Sequence, residues 1–82
     1  MKVNPEAVRY DDGYAIRFTR NSWTVLMWVQ DLTTRKLKNT SLVNRPVVVF
    51  PERADAEREI RERVLSYLRD TDKVNPDDII GW

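Results

Sequence analysis

The chain has 82 residues, with no cysteine, no histidine and only two glycines. Without cysteine there is neither a disulfide nor a thiolate nucleophile. A small secreted domain usually needs such staples, so the composition points to a reducing, cytoplasmic setting. Without histidine the commonest general base is missing, and so is the commonest zinc ligand. With both residue types absent, a structural zinc site is excluded in practice. The glycines, Gly13 and Gly81, are too few and too far apart for a phosphate-cradling loop. Ser22, Ser41 and Ser66 have no base nearby in sequence and sit in no nucleophile elbow. The longest apolar run is far shorter than the roughly 20 residues that span a bilayer. The opening MKVNPEAVRY has no apolar signal core. The expectation is a non-enzymatic protein with no cofactor, no metal and no membrane association.

What is present is a hydrophobic fraction of 41%, enough for one small core. Net charge is +1 and points to no partner by itself. Its distribution is uneven. Residues 1–51 carry eight basic and four acidic side chains, and residues 52–82 carry six and nine. Such an asymmetry can mark an interaction surface, but a charged amphipathic helix at the end of the chain is the reading preferred here.

The first half reads as strands. Val8 to Tyr10 lead into Asp11-Asp12-Gly13, a hairpin signal. Tyr14, Ile16 and Phe18 alternate with Ala15, Arg17 and Thr19, the pattern of a half-buried strand. Asn21-Ser22 suit the next tight turn. Residues 23–30, WTVLMWVQ, form the third strand. Lys36 to Leu42 make a weak polar edge strand, and Val47 to Phe50 a short β-branched one after Pro46. The apolar period then changes. Ala56, Ile60, Val64, Tyr67 and Leu68 make one stripe on a helix over about 53–70. Glu57/Arg61 and Glu59/Arg63 are spaced for ion pairs on the other face. The fold class expected is α+β: an antiparallel sheet of three to five short strands, then one C-terminal amphipathic helix packed on one face. Residues 1–82 are expected to form one small domain, with strands within about 6–50 and a tail over 71–82.

The third strand raises a problem of cover, because it is apolar on both faces. If Asn21-Ser22 form a two-residue turn, Phe18 pairs with Val25 and Ile16 with Met27 beneath the helix. Leu26 and Trp28 then face away from it, with Arg17 positioned to stack on the indole. The first hairpin allows two registers. A two-residue Asp12-Gly13 turn puts Val8 and Tyr10 on that second face. A three-residue Asp11-Asp12-Gly13 loop puts them in the core, and this one is preferred.

In the tail, DTDKVN begins like a calcium loop and then fails. Val74 stands where an oxygen ligand is needed, Asn75 where glycine is, and Gly81 where glutamate is. Asn75-Pro76-Asp77-Asp78 instead reads as an N-cap with proline at N1 and acids in the first turn, opening a single-turn helix that carries Ile79 and Ile80. Ile79, Ile80 and Trp82 are expected to fold back on their own domain, one place being the second face over Leu26 and Trp28.

The functional expectation is a small intracellular binding protein, adaptor-like or inhibitor-like. It would act through a protein partner or homodimer at Arg17, Leu26, Trp28 and Trp82. The alternative is nucleic-acid binding through a basic hairpin carrying Arg35, Lys36, Lys38 and Arg45.

Overall fold

A computed structural model describes residues 2–19, 25–30, 37–40 and 47–82; of residues 25, 30 and 37–40 it describes the backbone. Strands β1 (Asn4–Tyr10), β2 (Gly13–Thr19), β3 (Val25–Gln30) and β4 (Leu37–Thr40) form one antiparallel sheet in that order. A helical run over 53–70 follows and packs on one face. The fold is α+β, as the change of apolar period from two to between three and four requires.

The first hairpin takes neither expected register. Tyr10 stands opposite Gly13, which leaves Asp11-Asp12 as the two-residue loop. The left-handed backbone falls on Asp11, with φ of 53°, and not on Gly13. Aspartate tolerates that region better than most residues, and a primed hairpin turn needs it at the first loop position. Pro5 and Ala7 therefore join Ile16 and Phe18 on the buried face. Val8 lies opposite Ala15 on the other face, so the preferred placing of Val8 and Tyr10 in the core is corrected. Tyr10 is 41% exposed.

The second hairpin slips by one residue from expectation. Phe18 stands opposite Leu26, Arg17 opposite Met27 and Thr19 opposite Val25. Five residues, not two, separate the paired ends, and Asn21-Ser22 lie outside the described residues. Side chains alternate with period two, so this slip moves the whole strand's pattern to the opposite face. Leu26 and Trp28 thus face the helix, and Met27 and Val29 face away.

Past Met27 strands β2 and β3 part, and residues 47–50 fill the gap. Tyr14 N–H donates to the Phe50 carbonyl at 2.9 Å and Phe50 N–H returns a bond to the Tyr14 carbonyl at 2.8 Å. On the other side, Val48 N–H donates to the Trp28 carbonyl at 3.0 Å and Val47 bridges Val29. The β-branched stretch expected as a strand is thus an insert held by both splayed strands. Gly13 is explained by this close approach. A Cβ there would collide with the Phe50 carbonyl oxygen and lie 2.9 Å from Val49 Cγ1.

The helical run starts with α1 (Arg53–Glu59), widens into a π-helical turn over Ile60–Val64 and continues as α2 (Leu65–Asp70). Its wholly buried positions are Ala56, Ile60, Val64 and Leu68, each four residues after the last. In a regular α-helix every four-residue step rotates the side chain about 40° past a full turn. The stripe would then drift off the sheet. A π turn holds more residues per turn and rotates each one less, so it offsets that drift. The core these residues complete also contains Val3, Ala7, Ile16, Phe18, Trp28 and Val74.

Lys73, with φ of 57°, reverses the chain after the helix, and Val74 N–H donates to the Leu68 carbonyl at 2.7 Å. The Asn75 side chain accepts from Asp77 N–H at 3.0 Å and Pro76 opens a 3-10 turn, as the motif implied, but the turn covers Pro76–Asp78 only and Ile79 is extended, so the expected helix does not carry Ile79 and Ile80. The tail then runs along the free edge of β1. Val3 and Ile79 form a parallel bridge, flanked by bonds from Val3 N–H to the Asp78 carbonyl and from Ile80 N–H to the Val3 carbonyl, each 2.8 Å.

Candidate partner-binding site

The residues expected to meet a partner do not form one surface. Trp28 is 1% exposed. Its ring sits 5.8 Å from Phe18 and edge-on to Tyr67 at 5.1 Å, and its indole N–H donates to Glu59 Oε2 at 3.2 Å. Leu26 packs half-buried against the same core. Their placing on a second face is corrected, and the one-residue register slip is the reason. Arg17 stays on the face away from the helix. There it stands opposite Glu6, to which Nε donates at 3.2 Å, so it does not stack on Trp28. That face is not bare, since Ala15 and Val29 on it are wholly buried.

Trp82 does lie at the surface, but not over the sheet. Its indole N–H donates to the Pro5 carbonyl at 2.7 Å, which ties the end of the chain to β1. Even so, Trp82 is 42% exposed and Ile80 45%. Between this pinned tail and the helix lies a groove of about 320 Å³, lined by Arg61, Leu65, Arg69, Pro76, Ile79 and Trp82. The volume is at the low end of what ligand pockets occupy.

Sequence reasoning missed the two arginines. The signal was present, since Arg61, Leu65 and Arg69 are spaced four apart and share one helix face. The expected Glu57/Arg61 pair hid it. That pair does not form, whereas Glu59 and Arg63 do meet, at 3.7 Å. Among the described residues Arg61 and Arg69 meet no carboxylate. Arg69 donates to Ser66 Oγ at 3.4 Å.

A second basic cluster lies at the other end of the helix. Arg9 and Arg53 approach the Tyr14 ring at 5.1 and 5.5 Å from its centroid, which is cation–π range. Of the expected basic hairpin, Arg35, Lys36 and Arg45 lie outside the described residues. Lys38 is described by its backbone, which pairs with Val29.

Among the described residues, no group of three or more histidine, cysteine, aspartate or glutamate side chains is placed to hold a metal ion. No helix among them is long and apolar enough to cross a membrane. Comparison with protein-family models, with curated proteins and with solved structures finds no match.

Proposed function

We propose that the protein is a non-catalytic binding module that engages a protein partner through the groove between the helix and the C-terminal tail. The observation that carries this is the state of Trp82. Its polar end is bonded to Pro5, so the ring is fixed in place, yet nearly half of the side chain stays open beside two arginines. Tryptophan and arginine dominate binding energy where they occur at interfaces, and a pre-ordered ring loses little entropy on binding. Leu26 and Trp28 act in this reading as the packing that holds the helix, and Arg17 with Glu6 stays apart from the contact.

The test is selection from a displayed random-peptide library against the wild-type chain. Enriched sequences should bind wild type and lose most of their affinity on Trp82→Ala. Enrichment that survives Trp82→Ala unchanged, or none after repeated rounds, rejects the reading. Light scattering on the same samples reports self-association, the other form the contact can take. A salt-sensitive complex with duplex DNA at physiological ionic strength, lost when Arg35, Lys36 and Lys38 become glutamine, would support nucleic-acid binding instead.

A further inference from the structure

We propose that the groove recognises an acidic side chain of an extended peptide segment, next to a large apolar residue of that segment. The inference rests on the reading of the groove as a protein-binding site and adds its chemical selectivity. The charges of the helix carry it. Arg58 bonds to Asp55 at 2.9 Å and Arg63 lies 3.7 Å from Glu59, so the helix supplies carboxylates to these two arginines. Arg61 and Arg69, the arginines that line the groove, meet no carboxylate among the described residues. A guanidinium presents a planar fork of donors that matches a carboxylate. Two such groups on either side of Leu65 make a positive rim around an apolar floor. Ile79 and the Trp82 ring supply the opposite wall. That combination fits a ligand with an anionic tip on an apolar body. A space of about 320 Å³ admits one or two side chains rather than a folded element.

The experiment uses the full-length chain and fluorescence anisotropy with two labelled octapeptides. One alternates glutamate with leucine, and the other alternates glutamine with leucine. The glutamate peptide should bind roughly tenfold more tightly, as charge-assisted hydrogen bonds exceed neutral ones, and its advantage should shrink as salt rises. Arg61→Gln with Arg69→Gln should remove the preference. Both positions are exposed, so the fold tolerates the changes. Arg63→Gln should leave the preference intact. Equal binding of the two peptides, abolished by Trp82→Ala, would overturn the acidic selectivity while leaving the groove a protein-binding site. A preference that persists in the double variant would also overturn it. Binding of neither peptide at millimolar concentration would reject both readings.

Discussion

The indole N–H of Trp28 donates to Glu59 Oε2 at 3.2 Å, joining the largest fully buried side chain among the described residues to the flank of the helix. A buried tryptophan needs such an acceptor. Trp28→Ala should therefore cost about 3–5 kcal/mol, as large core truncations do. Glu59→Ala should cost about 1–3 kcal/mol by leaving a buried donor unpaired. Glu59→Gln, which keeps an acceptor, should cost less than Glu59→Ala. Urea unfolding checks the order. A Trp28→Ala protein as stable as wild type but altered in association state would return Trp28 to the surface.

The helix was legible in the sequence because its apolar stripe repeats over many residues. The strands were legible as elements for the same kind of reason. Their faces were not, because a face depends on register, and register depends on the loops. Asp11-Asp12-Gly13 admits several two- and three-residue turns, and one residue decides whether Val8 or Ala7 points inward. The apolar character of WTVLMWVQ on both faces removed the one signal that fixes register by itself. Leu26 and Trp28, read as an exposed patch, are core for that reason. The parting of β2 and β3 around residues 47–50 is a long-range event with no local signature. The groove combines residues from the helix and the tail, and only the fold brings them together.

Gly13 carries a second prediction. Its φ is not left-handed, so the residue is required for space and not for a turn. Gly13→Ala pushes a Cβ against the Phe50 carbonyl oxygen and Val49 Cγ1. The cost should be about 1–3 kcal/mol, the range for overpacking. Amide exchange should locate the damage at the Tyr14 and Phe50 N–H groups, which form the paired bonds at this point. Unchanged protection of those amides would show that residues 47–50 do not pack over Gly13.

The π turn carries a third. A π turn adds a residue to a helix, so removing one exposed residue should restore regular α geometry. Deleting Glu62 leaves the buried positions spaced four, three and four, the pattern of an ordinary amphipathic helix. The shortened chain should fold with a melting temperature within about 4–8 °C of wild type, equivalent to roughly 1 kcal/mol in a domain of this size. A molten or unfolded product would show that the wide turn is needed for packing.

The tail carries the fourth. Ile79 lies beside Val3 in parallel register, Ile80 N–H bonds to the Val3 carbonyl, and the Trp82 indole bonds to the Pro5 carbonyl. Val3 is wholly buried and belongs to the core, so the tail closes the β1 edge and does not merely rest on it. Deleting residues 79–82 removes both bonds and the apolar cover of Ile79. The loss should be on the order of 2–4 kcal/mol, from about 0.5–1.5 kcal/mol per bond and about 25 cal/mol per Å² of apolar surface. Trp82→Phe separates the two contributions, because it keeps an aromatic ring and loses only the indole bond, and it should cost about 1 kcal/mol. The truncated chain also exposes a strand edge, so it should self-associate where the full chain at the same concentration does not change mass. Denaturant unfolding with light scattering reads both effects. Equal midpoints for the full and truncated chains, with no change in mass, would show that the tail does not seal β1, and the groove it helps to form would lose its wall.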